Sequence, residues 1–298
     1  MKIAAVVVTY NRLGELKKNI ESLLSQSYKL DMLYIIDNAS TDETPQYLSS
    51  LKHNNISVVR LDKNMGGAGG FSEGMKIVFQ NGYDWAWLMD DDGRPYNEKT
   101  LECLVDYAVT RSNYSLINCN VLCDGNELSF KIGTQYNTLS EQREHIKSKV
   151  IENCACVFNG SLIGKEVYLK IGNIKSEYFI RGDEVEYLMR CKNSDVYIAS
   201  VIESLYFHPK TTYKTLSFFG KKFDYECMPI WKQFFLIRNY MATYYSTANH
   251  LQKKTIKRGI ELIVLGIILH DKSIKRLFYA CKAMLDGKNQ KFDNKFRR

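Results

Sequence analysis

The chain lacks a Cys-x-x-Cys pair, although eight cysteines stand among its 298 residues. It lacks any apolar run near the roughly 20 residues that a bilayer-crossing helix needs. The most apolar stretch of its C-terminal part, Ile260–Leu269, reaches only about half that length. Its glycine-rich segment is not followed by Lys-Ser/Thr and does not keep the G-x-G-x-x-G spacing. Its first residues enter a strand pattern directly. These absences argue in turn against a dithiol or zinc-ribbon centre, a transmembrane span, a P-loop or Rossmann fingerprint, and a secretory signal. They predict reduced thiols in a cytosolic protein, with a zinc site as the alternative. Acidic residues are also scarce at one end. Residues 211–298 hold 18 Lys and Arg against 6 Asp and Glu, whereas residues 1–210 hold 23 against 27.

What is present is ordinary globular composition, 45% hydrophobic and 25% charged, with enough apolar mass for a large core. Ile3–Val8 is a continuous apolar run and reads as a buried strand ending near Thr9. Leu13, Leu16, Ile20, Leu23 and Leu24 have helical spacing. Met32–Ile36 is a second strand closing on Asp37, with Ser40 or Thr41 as cap of a helix over 43–51. Residues 56–61 form a third strand. The β-α-β-α-β order predicts an α/β fold: a doubly wound, mostly parallel sheet flanked by helices. Asp37 then stands at the sheet edge where open α/β sheets bind ligands. It suits a base N–H or ribose hydroxyl there, or serves as a turn residue.

Asn64 opens a segment with glycines at 66, 67, 69 and 70. Such density implies positive φ or a backbone approached closely by something else. A helix over 72–79 follows, so a ligand at free N–H groups is the favoured reading and tight helix-on-strand packing is the other. Trp85–Met89 reads as a strand that ends in Asp90, Asp91 and Asp92 before Gly93. Three adjacent acids repel, so a cation is expected among them. Hard oxygen donors at alternate positions suit Mg²⁺ or Mn²⁺ with diphosphate oxygens in its shell. A solvated acidic turn is the bland reading.

Residues 97–112 predict a helix. Residues 115–158 predict irregular strands, with a variable loop at 134–149 and a strand ending in turn chemistry at 157–161. In Tyr178–Tyr187 an aromatic run breaks at Gly182 and a helix begins with Asp183, Glu184 and Glu186. Acids there offset the helix N-terminal charge, or one of them acts as a general base. Leu205-Tyr206-Phe207-His208-Pro209 places a His at the end of a strand pattern, as a third metal ligand or a structural residue.

Taken in order, Val7–Arg12, Asp37-Asn38, Asn64 with the glycine segment, Trp85–Pro95, Phe179–Glu186 and Leu205–Pro209 resemble the family 2, A-type (GT-A) glycosyltransferases. Over residues 3–240 the likeness is to bacterial galactofuranosyltransferases, mycobacterial ones among them. The resemblance implies that Asp37 faces the uracil side of UDP and that Asp90 and Asp92 hold the metal and the ribose-diphosphate. It implies that His208 completes the metal shell and that Glu184 is the catalytic base, with Asp183 beside it for the acceptor or as base instead. Thr9, Asn64, Gly66, Gly67, Asp91 and Arg181 are the further substrate-binding positions it implies. The reaction implied is metal-dependent and inverting, with Mn²⁺ or Mg²⁺ as cofactor. It moves galactofuranose from UDP-galactofuranose to a lipid-carried glycan in capsule, O-antigen or cell-wall synthesis. A dTDP-rhamnose-dependent transferase and a non-catalytic nucleotide-sugar-binding subunit are the alternatives.

The division expected is a catalytic domain over 1–210 and a basic helical extension over 211–298. Trp231–Tyr245 is aromatic-rich. Ile260–Leu269 is flanked by Lys253, Lys254, Lys257 and Arg258 before it and by Lys272, Lys275 and Arg276 after it. That pattern suits a helix lying on anionic lipid, at the inner face of the plasma membrane, or a core or dimer helix with a solvated basic face. A homo-oligomer is allowed by it. A nucleic-acid partner is not expected, since no such motif is present and residues 1–210 carry net negative charge.

Overall fold

A computed structural model describes residues 1–123 and 125–293. The chain divides into two compact units, Met1–Ser176 with Ser194–Lys210, and Glu177–Asn193 with Thr211–Arg298. The expected 210/211 boundary omits one exchange: the segment that carries Asp183 and Glu184 groups with the C-terminal unit.

The first unit begins β1 (Ile3–Thr9), α1 (Leu13–Leu24), β2 (Met32–Asp37), α2 (Thr44–Ser50), β3 (Ile56–Arg60), α3 (Gly66–Gln80) and β4 (Trp85–Asp90). It continues with β5 (Arg94–Pro95), α4 (Thr100–Ala108), β6 (Ser115–Leu122), α5 (Leu139–His145), β7 (Val150–Glu152), β8 (Asn159–Gly164), α6 (Lys165–Ile171) and, after α7 of the other unit (Asp183–Asn193), β9 (Tyr197–Phe207). The strands form one mixed, mostly parallel nine-stranded sheet in the order β3-β2-β1-β4-β8-β6-β9-β5, with β7 also on β9. β3, β2, β1 and β4 are parallel neighbours, and β8 runs against them.

The expected first half holds because its strands are apolar throughout and every residue of β1 is buried. Core residues on one face of the sheet include Ile3, Ala5, Val7, Trp85, Trp87 and Met89, packed with Leu16, Ile20 and Leu23 of α1. Four expectations are corrected. Helix α2 is capped by neither Ser40 nor Thr41: Ser40 Oγ accepts from Asn11 N, and Asp42 accepts from Thr44 N. Helix α3 starts at Gly66, so the glycine segment is its first two turns rather than a loop before it. The stretch 134–149 is not all loop, because Thr138 and Glu141 form a capping box that starts α5. The turn at 157–161 begins strand β8 instead of ending one, with Phe158 and Gly160 at positive φ.

The second unit holds α7, the antiparallel hairpin β10 (Tyr213–Phe218) and β11 (Lys221–Glu226), then α8 (Ile230–Ser246), α9 (His250–Gly266) and α10 (Ile274–Lys288). Its core gathers Phe179, Phe234, Phe235, Ile237, Ile267, Ala280 and Ala283. The apolar run expected at 260–269 spans the end of α9 and a π-turn, with Ile260 and Ile267 buried. No helix among the described residues is long and apolar enough to cross a membrane.

Candidate active site

Parallel register brings the first site residues to one edge. Thr9 pairs with Asp37, and Val8 pairs with Asp90, so the ends of β1, β2 and β4 lie side by side. All three strands point the same way, and their C-terminal edge is where an open α/β sheet receives ligands.

The cation expected among the three acids is supplied in part by the chain itself. Arg12 Nη1 lies 3.2 Å from Asp91 Oδ1 and also donates to Asp92. Asp91 is buried, and its other oxygen accepts from the Thr9 hydroxyl at 2.8 Å and from Tyr10 N at 3.3 Å. Burial pushes the Asp91 carboxyl up to about 6, against the Arg12 charge and the Thr9 hydrogen bond. Thr9 and Asp91 are therefore partners of each other, which is a structural use of two positions expected to touch substrate.

Two residues hold the acid turn from below. Asn19 of α1 donates to the Gly93 carbonyl at 2.5 Å and to the Asp90 carbonyl at 3.3 Å. A Cβ on Gly93 would come within 2.4 Å of the Tyr206 hydroxyl oxygen, so only glycine lets the turn lie on that ring. Tyr206 is fully buried, and burial beside Asp90 and Asp92 drives its phenol well above the ordinary tyrosine range.

His208 faces Asp92, with Nε2 3.8 Å from Oδ1. Its Nδ1 is 2.7 Å from the Pro209 carbonyl, which can only accept, so the proton of the neutral ring sits on Nδ1. Nε2 then presents a lone pair toward a carboxylate. Two acceptors facing one another suit a divalent cation between them, and an imidazole with a carboxylate is an ordinary donor set for Mn²⁺. The expected trio is not gathered at one point: among the described residues no three His, Cys, Asp or Glu side chains cluster closely enough to hold a metal. His208 and Asp92 come together, and Asp90 is not drawn into a three-ligand group with them. A cleft of about 510 Å³ opens beside them, lined by Arg12, Glu15, Lys18, Asp92, Arg94, Phe207 and Pro209. Arg94 stacks over Phe207 at 4.1 Å. Three cations against two acids leave room for an anion there.

Asp37 is buried, accepts from Ser40 N at 2.9 Å and pairs with Arg60 of β3. Asn38 joins this edge to helix α3, accepting from Met65 N at 2.7 Å and donating to Gly66 O at 2.9 Å. Asn64 accepts from Gly66 N at 2.8 Å, and Gly66 has a φ of 71°. The glycines divide by cause. A Cβ on Gly70 would reach 2.4 Å from Val8 Cγ1, and one on Gly74 2.3 Å from Val6 Cγ1. These seat α3 on β1, the packing reading that was not favoured. Gly67 has open space where a Cβ would be, and it keeps the ligand reading.

In the second unit, Asp183 and Glu184 open α7. Glu184 turns back to accept from Gly182 N at 2.8 Å, so it caps its own helix. Glu186 is buried, bonded to Arg190 and Thr247. Arg181 pairs with Glu226 of β11 at 2.8 Å. The approach to these acids has unusual backbone: Phe179, Arg181 and Gly182 have φ of 65°, 65° and 85°. Asn239 of α8 holds it, donating to the carbonyls of Tyr178, Ile180 and Arg181 at 2.9, 3.1 and 2.6 Å. Arg238 donates to Tyr178 O at 3.0 Å and to Asn239 Oδ1 at 2.9 Å, and both residues are wholly buried.

The model of the family described as Glycosyl transferase family 2 matches residues 4–172, more than half of the chain. The chain is a family 2 glycosyl transferase. This glycosyl transferase is 34% identical over 217 residues to galactofuranosyltransferase GlfT1 of Mycolicibacterium smegmatis, covering 70% of each chain. It is 32% identical over 216 residues to GlfT1 of Mycobacterium tuberculosis, again covering 70% of each. The dTDP-rhamnosyl transferase RfbF of Shigella flexneri is 26% identical over 210 residues, 66% of this chain and 65% of that protein. Among solved structures, Staphylococcus aureus TarS 1-349 with UDP-GlcNAc matches at a TM-score of 0.63, with 14% identity over 96% of this chain and 80% of TarS. GalNAc-T7 with UDP, GalNAc and Mn²⁺ matches at 0.56, with 12% identity over 82% and 47%. At such identities the shared property is the GT-A fold.

Arg12, Asn19, Asn38, Arg60, Tyr206, Arg238 and Asn239 were not singled out as site residues from sequence. A signal existed for two of them: Arg12 directly follows a strand end, and Asn38 follows Asp37. Nothing local marks the others.

Proposed function

We propose that this glycosyl transferase moves galactofuranose from UDP-galactofuranose, with inversion, to a lipid-carried glycan acceptor in bacterial surface-polysaccharide synthesis, at the inner face of the plasma membrane. The observation that carries the donor is the identity of 32 to 34% with galactofuranosyltransferases over 70% of both chains. The UDP in solved structures of the same fold supports the nucleotide.

The roles follow from charge and position. Asp37 takes the base and ribose side of UDP at the end of β2. The diphosphate lies over the cleft lined by Arg12, Lys18 and Arg94, and Gly67 lets it approach α3. Asp92 and His208 would hold Mn²⁺ or Mg²⁺. When bound, such an ion supplies Lewis-acid charge that makes the nucleoside diphosphate a better leaving group. Arg12 holds Asp91 and Asp92 in place. Glu184 takes the proton of the acceptor hydroxyl as it attacks the anomeric carbon, and Asp183 binds the acceptor beside it. The hydrogen bond from Gly182 N holds the Glu184 carboxyl at the start of α7.

A dTDP-rhamnose donor is the second reading, favoured by the 26% identity with RfbF. The test is nucleotide release from UDP-galactofuranose, UDP-galactopyranose, UDP-glucose and dTDP-rhamnose with Mn²⁺ or Mg²⁺, in wild type and Glu184→Ala. Release selective for UDP-galactofuranose and lost in the variant is the expected result. Release from dTDP-rhamnose alone overturns the donor but keeps the mechanism. UDP binding without turnover of any donor, even with lipid-carried acceptors supplied, overturns the enzyme reading.

A further inference from the structure

Helix α10 exposes the wrong face for a self-contained protein. Its buried residues are Ala280, Ala283 and Gly287. They lie on one side of a helix turning about 100° per residue. Gly287 is pressed so tightly that a Cβ there would come within 2.2 Å of the Arg238 carbonyl. Ile274, Phe278, Cys281 and Leu285 recur at spacings of four, three and four on the opposite side. Ile274 is 86% exposed, Phe278 64% and Leu285 61%, and Cys281 is exposed with them. An amphipathic stripe of this period normally faces a core, and this one faces solvent. Lys275 and Lys282 border it on one side, Lys282 paired with Asp286 at 2.6 Å, and Lys288 on the other, all three lysines exposed.

The β10–β11 hairpin repeats the pattern independently. Phe219 and Gly220 make the turn at φ of 46° and 74°. Phe219 is 90% exposed, and its ring meets that of Phe218 at 4.5 Å. Exposed Lys221 and Lys222 follow at once. Scattered apolar residues on a surface need no explanation, but a helix-long stripe and an aromatic hairpin tip, each edged with lysine, are patches.

We infer that the outer face of α10 and the β10–β11 tip seat this protein on an anionic lipid surface. A second copy would cover the same apolar atoms, but it would bring like-charged lysine borders together. Lipid phosphates accept those lysines instead, and 18 Lys and Arg against 6 Asp and Glu over residues 211–298 add attraction. No helix among the described residues is long and apolar enough to cross, and the contact inferred is interfacial: apolar side chains enter the headgroup boundary while the lysine ammonium groups stay at phosphate level. The inference deepens the proposed function by naming the surface that meets the membrane. It moves the contact from the run Ile260–Leu269 with its flanking basic residues, the candidate read from sequence, to the outer face of α10 and the hairpin tip.

The test is co-sedimentation of the full chain with vesicles of phosphatidylglycerol and phosphatidylcholine, and of phosphatidylcholine alone. Binding to the anionic vesicles, weakened at least tenfold by 0.5 M NaCl on the expected salt screening of lysine contacts, is the expected result. Phe219→Ser and the pair Ile274→Ser with Phe278→Ser each weaken it about tenfold or more, since each removes buried apolar area. Hydrolysis of UDP-galactofuranose in solution and the melting temperature stay unchanged, because these side chains contact solvent. Lys275→Glu with Lys282→Glu weakens binding without touching apolar area. No sedimentation, or equal sedimentation of all variants, overturns the inference. A dimer in sedimentation velocity that dissolves in the serine variants assigns the face to a second copy and also overturns it. Intact vesicle binding without turnover of any donor would count against the proposed activity and leave the lipid surface standing.

Discussion

Arg12 Nη1 lies 3.2 Å from a carboxylate oxygen of Asp91, and Asp91 is buried at the end of the central strands. A buried carboxylate that loses its cation and one hydrogen bond keeps its desolvation cost. Arg12→Ala should therefore lower stability by on the order of 1–3 kcal/mol, toward the low end because the guanidinium is half exposed. Arg12→Lys should recover only part of it, since its shorter stem does not carry the ammonium to the place that Nη1 occupies between Asp91 and Asp92. Urea midpoints measure both; an unchanged midpoint in Arg12→Ala means that the pair does not hold the turn.

The glycines of α3 separate packing from ligand approach. Gly70→Ala and Gly74→Ala force a methyl into Val8 and Val6 and should each cost about 1–3 kcal/mol. Gly67→Ala meets open space, and alanine favours a helix by up to about 1 kcal/mol, so its melting temperature should hold or rise. Its UDP affinity should nevertheless drop several-fold in calorimetry. Unaltered affinity would remove Gly67 from the donor site.

Asn239 donates to three carbonyls of a loop with positive φ at Phe179 and Arg181. Asn239→Ala should cost about 1–3 kcal/mol, because buried carbonyls lose their donors. Asn239→Asp should cost at least as much, since it replaces the donor with a carboxylate oxygen that faces three acceptors. In both variants kcat should fall more than KM for the donor changes, because the loop leads to Asp183 and Glu184. Equal changes in the two constants would contradict that split.

Glu184→Gln keeps an oxygen that can accept from Gly182 N. Its stability should stay within about 0.5 kcal/mol of wild type, while turnover falls by about 10²–10⁴ if Glu184 is the base. Asp183→Asn should raise acceptor KM and retain more turnover. The reverse ranking in steady-state kinetics would exchange the two roles.

Chelation should abolish turnover and added Mn²⁺ should restore it. His208→Ala should raise the Mn²⁺ concentration for half-maximal activity by about 10-fold or more, in line with the cost of weakening metal sites. Full activity of wild type in excess chelator would eliminate the ion from the mechanism.

Much of the first unit was legible because its strands carry their own signal. Ile3–Val8 and Trp85–Met89 are apolar on both faces, and the acids that end β2 and β4, Asp37 and Asp90, mark a ligand edge without knowledge of the fold. The glycine segment misled for a physical reason: glycine density reports close approach but not what approaches, and at Gly70 and Gly74 it is the side chains of β1. The helix start was missed because glycine is a poor helix former, overridden here by packing.

From the chain alone came the α/β order and the placing of Asp37 and Asp90 at strand ends, which follow from local periodicity, and the family resemblance, which rests on motifs taken in order. Tertiary structure decided which partners those residues have. Arg12 reaches Asp91 across 79 positions, and Asn239 reaches Arg181 across 58. Such pairs leave no period in the sequence, because a buried polar group needs only one well-placed partner, which can come from any element that folding brings near.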